Sequence, residues 1–224
     1  RVLGRFKTAD SIFQTALATR KEVVGEKHPD YAKSLHSIAE LYTMQTYYYE
    51  AEPYYQQAIE VLKISDDEVK HPYYEEYLID LADLYLKTWR YKNAIPLYKE
   101  AEPLLKTSLG EKHPEYILMS LSLADALEEE HQNDEAENIF ETQLPILEGL
   151  FGKNHPHYVE SEFRLAHLYS KTGRLQEAKK DFEDVEPRFK LLFGDKNPDY
   201  AYLLESMAIL YTKLKDYPQA EIYY

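Results

Sequence analysis

A seven-residue motif that returns at a fixed spacing constrains this chain more than any other feature. It is clearest as Gly-Glu-Lys-His-Pro-Asp-Tyr at residues 25–31, and related sequences stand at residues 110–116, 152–158 and 194–200. A divergent copy occupies residues 68–74. The prolines of the five copies are separated by 43, 42, 42 and 42 residues. A fixed period of this size predicts a repeat architecture, in which each unit can bury its apolar face only against its neighbours.

Apolar residues recur at helical spacing after each copy of the motif. The first full repeat places four of them at i, i+3, i+4 and i+7 of one helix face, namely Leu35, Ile38, Ala39 and Tyr42. A second stripe follows a short polar turn, and its first copy consists of Ala51, Tyr55, Ala58 and Leu62. The pattern predicts an all-α chain of antiparallel helix pairs. Pro103, Pro145 and Pro187 fall deep in the second helices, where we expect each to kink or end its helix.

No linker rich in glycine, serine or proline interrupts the repeats, so the sequence predicts a single domain over residues 1–224. Its parts are a half repeat 1–27, full repeats 28–70, 71–112, 113–154 and 155–196, and a partial repeat 197–224. Because the chain begins and ends within a repeat, we expect it to be a fragment of a longer array.

Charge and cysteine content exclude several classes of function. Forty acidic and 26 basic residues give a net charge of −14, which disfavours direct contact with nucleic acid and with anionic membranes. The absence of cysteine excludes disulfides, thiolate metal sites and a cysteine nucleophile. It also fits a reducing compartment, so we expect a cytoplasmic protein. No apolar run approaches the roughly 18 residues that a membrane span needs.

The histidines of the repeated motif allow two interpretations, metal binding or helix capping. Only His155 and His157 lie close enough in sequence to share a metal ion. Proline is well suited to the first position of a helix, and the residue before it is placed to cap that helix. Asn197 replaces histidine in the last copy, as a cap allows and a metal site does not. We therefore expect helix caps, and neither a metal ion nor another cofactor.

The two stripes together resemble the tetratricopeptide repeat, with Ala39 where that family often has glycine. The 42-residue unit ends in Leu-Gly-x-x-His-Pro, as at residues 109–114, and in this it resembles the kinesin-light-chain subtype. The resemblance implies a right-handed superhelical solenoid that acts as a scaffold for a partner protein or peptide. Relatives grip a peptide backbone with paired asparagines, and His36-Ser37 stand at those positions in the first repeat.

Two other functions remain open at this stage. Bacterial arrays of this subtype often precede a caspase-like (CHAT) protease domain or a nucleotide-binding signalling domain, so the chain would then be the regulatory arm of a larger protein. Alternatively, the array is structural and associates with itself. No Ser-His-Asp order, phosphate loop or metal motif stands out, so we expect no catalytic residue within the chain.

In the tetratricopeptide family the first helix of each pair lines a concave groove. The residues opposite the buried stripe are therefore the candidate partner-binding residues: Glu40, Glu76, Asp80, Asp83, Leu118, Leu121, Asp125, Glu129, Phe163, Arg164, His167, Tyr202 and Ile209. The acidic members would attract a basic segment, and the apolar members would receive apolar anchors from it. We expect the partner to be a protein or peptide with a basic and partly apolar segment.

Overall fold

The computed structural model describes residues 2–64 and 73–223, which contain eleven α-helices and no strand. In chain order the helices are α1 (Val2–Val23), α2 (Pro29–Met44), α3 (Tyr48–Ile64), α4 (Tyr74–Lys87), α5 (Tyr91–Ser108), α6 (Pro114–Glu129), α7 (Asn133–Phe151), α8 (Pro156–Thr172), α9 (Leu175–Phe193), α10 (Pro198–Lys213) and α11 (Tyr217–Tyr223). The prediction of an all-α fold is confirmed. None of these helices has a stretch long and apolar enough to cross a bilayer.

The helices form two compact units, Arg1–Ala126 and Leu127–Tyr224. In the first unit, α1 packs on α2, α2 on α3, α3 on α4, and α4 on α5. In the second unit, α7 packs on α8, α8 on α9, α9 on α10, and α10 on α11. Each unit therefore shows the nearest-neighbour packing that a repeat sequence predicts.

The predicted apolar stripes form the cores of the two units. In the first unit the core includes Leu78 and Ala82 of α4 and Tyr98 of α5, all fully buried. In the second unit it includes Ala166 of α8 and Phe182 of α9. The small alanines leave room for the large rings on the facing helix, so the volume between the helices is filled.

Many of the 22 tyrosines join helices through their hydroxyl groups. The hydroxyl–carboxylate pairs include Tyr74–Glu100 (2.6 Å) and Tyr85–Glu52 (2.8 Å) in the first unit, and Tyr169–Glu141 (2.7 Å) and Tyr211–Glu183 (2.8 Å) in the second. In each pair the ring lies in the apolar interface while the hydroxyl donates to a carboxylate on another helix. The high tyrosine content is thus largely accounted for by packing.

Three junctions of the repeated motif are helix caps, as predicted. The side chains of His28, His113 and Asn197 accept a hydrogen bond from the backbone N–H two residues later, at 3.1, 3.3 and 2.7 Å. His155 departs from the prediction, because its side chain makes no cap hydrogen bond. Its ring instead stacks on Phe151 with 4.5 Å between centroids. The junction at His71-Pro72 lies outside the described residues.

Replacement of Asn197 or His113 by alanine is expected to lower the free energy of unfolding by about 1 kcal/mol, the usual effect of a lost cap. Urea denaturation followed by circular dichroism measures the change. The matched control is Asn154→Ala, because Asn154 is an exposed residue of the same motif that caps no helix. Equal stability of the Asn197 and Asn154 variants would contradict a capping role.

The prolines of the second helices do not end them. Pro103, Pro145 and Pro187 are exposed, and α5, α7 and α9 continue to Ser108, Phe151 and Phe193. The expectation of helix termination is therefore wrong at these three positions. Each proline removes one backbone hydrogen bond, and the buried residues on the opposite face hold the helix in place.

The turn within each helix pair contains one residue with left-handed backbone geometry. These residues are Thr46 (φ 63°), Trp89 (57°), His131 (60°), Gly173 (88°) and Lys215 (62°). Glycine is the residue that usually adopts this geometry, but it occupies only one of the five positions. The shared geometry could therefore not be predicted from the residue types. Trp89 is 79% exposed.

Candidate functional site

A cavity of about 550 Å³ opens on the first unit, lined by residues of α4, α5 and α6 and the residue that follows α5. Its acidic residues are Glu75, Glu76, Asp80, Asp83 and Glu115. Its apolar residues are Ile79, Leu105, Leu109, Leu118 and Met119. The lining formed by these described residues contains neither lysine nor arginine. The cavity thus combines concentrated negative charge with an apolar surface.

The sequence predicted part of this lining. Glu76, Asp80, Asp83 and Leu118 were candidate groove residues, and all four line the cavity. The other candidates of the first unit, which do not line it, are Glu40, Leu121 and Asp125. Ile79 belongs to the same predicted face of α4, whereas the lining residues Glu75, Leu105, Leu109, Glu115 and Met119 were missed. Leu105 lies on α5, the second helix of its pair, whereas the predicted groove residues all belong to first helices.

Asp83 is a carboxylate of the cavity that is held by a buried tyrosine. It is half-buried and accepts a hydrogen bond from the hydroxyl of Tyr98, whose side chain is fully buried. Burial raises the pKa of Asp83, and the bond from Tyr98 opposes that shift. A carboxylate that has lost part of its hydration gains more from an incoming cation than an exposed one does.

His36 lies beside the acidic cavity, on α2, with its imidazole held between two tyrosine rings. The ring stacks on Tyr77 at 4.0 Å between centroids and meets the edge of Tyr55 at 5.4 Å. Nε2 lies 2.6 Å from a carboxylate oxygen of Asp80, and Nδ1 lies 3.5 Å from one of Glu40. The side chain is only 6% exposed.

The charge of His36 follows from these partners. Burial alone would lower its pKa, but the hydrogen bonds and negative charges of Asp80 and Glu40 outweigh burial and raise the pKa to about 9. His36 is therefore an imidazolium at neutral pH. The ion pair of His36 with Asp80 was not predicted, because Asp80 stands 44 residues later in the sequence, in the next repeat.

In the second unit, Phe163 does not lie where the sequence placed it. Its side chain is 4% exposed, and its ring contacts those of Phe182, Phe189 and Tyr202 at 6.1, 5.7 and 5.7 Å. The expectation that Phe163 lies on an exposed stripe is wrong, because two phenylalanines of α9 enclose it.

The candidate His167 of the second unit is engaged with neighbouring side chains. Its Nδ1 lies 2.9 Å from a carboxylate oxygen of Glu128, and its Nε2 lies 3.1 Å from the hydroxyl of Tyr202. Lys171 also contacts Glu128, at 3.3 Å. Burial opposes ionisation of Glu128, but His167 and Lys171 outweigh it and hold the pKa of that carboxyl below its ordinary value.

The other candidates of the second unit differ in exposure. Tyr202 and Ile209 are each 42% exposed, Glu129 is exposed, and Arg164 is half-buried. The contact of Glu128 with His167 was not predicted, because in the sequence Glu128 is one of three consecutive glutamates at residues 128–130.

Helix pairs that recur about every 42 residues and pack on their nearest neighbours define a helical repeat protein. The sequence model described as tetratricopeptide repeat matches residues 1–64, 115–190 and 163–224. The chain therefore belongs to the tetratricopeptide repeat family. Folds of this family generally mediate protein–protein interactions and are typically non-catalytic scaffolds. No curated protein sequence matches the chain.

Solved structures share the fold at low sequence identity. The TPR-like repeats of a protein from Podosopora anserina, described as a kinesin light chain, are 22% identical with a TM-score of 0.69, covering 88% of this chain and 92% of that one. BtubC (BKLC) from P. vanneervenii is 17% identical with a TM-score of 0.73, covering 100% and 88%. YrrB, described as a TPR protein with an unusual peptide-binding site, is 16% identical with a TM-score of 0.60, covering 94% and 88%.

Proposed function

We propose that this chain is a protein-interaction scaffold and that the acidic cavity of its first unit binds a basic, partly apolar segment of a partner protein. The observation that carries the proposal is the lining itself. Among the described residues that line the cavity, five carboxylates surround an apolar surface and none is lysine or arginine. A cytoplasmic location is part of the proposal, because a chain without cysteine suits a reducing compartment.

The two kinds of lining residue have different roles in the proposed complex. Exposed charge pairs contribute only about 0.2–1 kcal/mol each, so the carboxylates mainly attract and orient the basic segment. An apolar side chain of the partner, seated near Leu118 and Met119, supplies most of the binding energy. The partner segment therefore carries lysine or arginine beside at least one large apolar residue.

The similarity to other tetratricopeptide proteins supports a peptide ligand. YrrB is described as having an unusual peptide-binding site, and a Rap protein with 17% identity and a TM-score of 0.55 is described in complex with Competence and Sporulation Factor. For this chain, the proposal that the ligand is a basic and partly apolar peptide rests on the charge and apolar surface of the cavity.

Fluorescence anisotropy tests the proposal with two labelled peptides that differ only in charge. One consists of lysine, arginine and leucine, and the other has glutamate in place of each basic residue. We expect only the basic peptide to bind, with an association rate that falls as salt screens the carboxylates. Charge reversal by Glu75→Lys with Glu76→Lys is expected to slow association by roughly tenfold at low salt. Leu118→Ala is expected to raise the dissociation rate.

The matched control for the charge reversal is Asp195→Lys with Glu221→Lys. These exposed acids lie in the second unit, and their replacement changes the net charge by the same amount. If the cavity is the binding site, association is slower in the Glu75/Glu76 variant and unchanged in the control. Equal slowing in both variants, or binding of both peptides alike, would contradict the proposal.

A further inference from the structure

We propose that His36, Glu76 and Asp80 form a binding site for one divalent transition-metal ion of the Zn²⁺ and Ni²⁺ class. His36 comes from α2, and the two carboxylates come from α4. One nitrogen or oxygen atom from each side chain lies within 4.8 Å of the other two. The proposal departs from the expectation, drawn from the His-Pro junctions of the sequence, that the chain binds no metal ion.

The donor set suits a first-row transition metal. Imidazole nitrogen and carboxylate oxygen are both ligands of Zn²⁺ and bind at about 2.0–2.2 Å. Glu76 and Asp80 are four residues apart on α4, so their carboxylates lie on the same helix face. Glu76 is exposed and can rotate toward the ion. Asp80 and Nε2 of His36 form a direct hydrogen bond of 2.6 Å, which the ion would replace as it draws the two ligands slightly apart.

The surroundings of His36 match those of a metal-bound histidine. Such a histidine usually donates its second ring N–H to a carboxylate or a carbonyl, which fixes the ring orientation. Nδ1 of His36 has Glu40 at 3.5 Å, and the stacked ring of Tyr77 further restricts rotation. The ring can therefore keep its orientation while Nε2 exchanges its hydrogen bond to Asp80 for a bond to the ion.

The charge balance at this place also favours a divalent cation. The groups that face His36 are Glu40 on its own helix, Tyr55 on α3, and Glu76, Tyr77 and Asp80 on α4. Three carboxylates thus surround one imidazolium, which leaves excess negative charge. The negative charges of Asp80 and Glu40 repel that of Glu76, and the single charge of His36 offsets this only in part. An ion with two positive charges that replaces one proton relieves this repulsion.

Isothermal titration calorimetry with ZnCl₂ and NiCl₂, on the full chain after treatment with a chelator, tests the site. We expect one ion per chain, and binding at least tenfold weaker in Glu76→Gln and in His36→Gln. Glu76 is exposed, so the first variant leaves the core intact. Because an imidazole must lose its proton to bind a metal ion, Ni²⁺ affinity is expected to rise with pH above neutrality.

The matched control is His157→Gln. His157 lies beside His155, with 5.3 Å between ring centroids, and this pair was the one candidate for shared metal binding in the sequence. Binding unchanged in His157→Gln supports the proposed site. The proposal would be overturned by absence of binding to the wild-type chain, by binding to the Glu76 and His36 variants as tight as to the wild-type chain, or by loss of binding in His157→Gln. No peptide enters the titration, so its result is independent of the proposed scaffold function.

Discussion

Replacement of Phe163 by alanine is expected to lower the free energy of unfolding of the second unit by about 3–5 kcal/mol, the usual range for a buried phenylalanine. Phe163 is 4% exposed and contacts the rings of Phe182, Phe189 and Tyr202. Alanine would leave a cavity among these rings, and packed helices close such a cavity only in part. The loss would be a large fraction of the stability of a small helical unit.

Urea denaturation and hydrogen exchange together measure this effect. Peptides from α8 and α9 are expected to exchange much faster in Phe163→Ala, because the ring joins these two helices. The matched control is Leu191→Ala on α9, since Leu191 is 83% exposed and its loss should change stability by no more than about 0.5 kcal/mol. Equal stability of the two variants would mean that Phe163 lies on the surface, as the sequence had placed it.

The second large effect concerns the pH dependence of the first unit. The pKa of His36 in the folded chain is about 9, against an ordinary value of 6.5, because Asp80 and Glu40 outweigh the effect of burial. A raised folded-state pKa gives stability that is fully present below pH 6.5 and is lost as pH rises through about 9. The shift corresponds to roughly 3 kcal/mol.

The measurement compares the wild-type chain with His36→Gln over pH 6 to 9.5, in buffer with chelator. We expect the difference in free energy of unfolding to shrink by roughly 3 kcal/mol over this range. The lost stacking on Tyr77 adds a constant offset. Other titrating groups cancel in the difference, including Glu162, whose pKa burial raises to about 7. His157→Gln serves as the control, and a difference that does not change with pH would contradict the charged state of His36.

The sequence predicted those parts of the site that follow from helix periodicity. Glu76, Asp80 and Asp83 recur at helical spacing on the face of α4 opposite its buried stripe, and Leu118 has the equivalent position on α6. They line the cavity as a result. Leu105 and Leu109 could not be found in this way, since they line the cavity from α5 and the residue that follows it. Their contribution depends on how neighbouring helices pack.

What the sequence determined by itself was local. The repeat period fixed the helix pairs, the spacing of apolar residues fixed their buried faces, and caps such as that of Asn197 depend on atoms only two residues apart. Tertiary structure decided the rest. Phe163 is buried because the rings of residues 19 and 26 positions later in the sequence enclose it. His36 is charged because Asp80, 44 residues later in the sequence, lies 2.6 Å from its ring. The free energy of such contacts depends on how far apart the side chains of different helices lie and on how deeply they are buried. A periodic pattern along a single helix gives neither quantity.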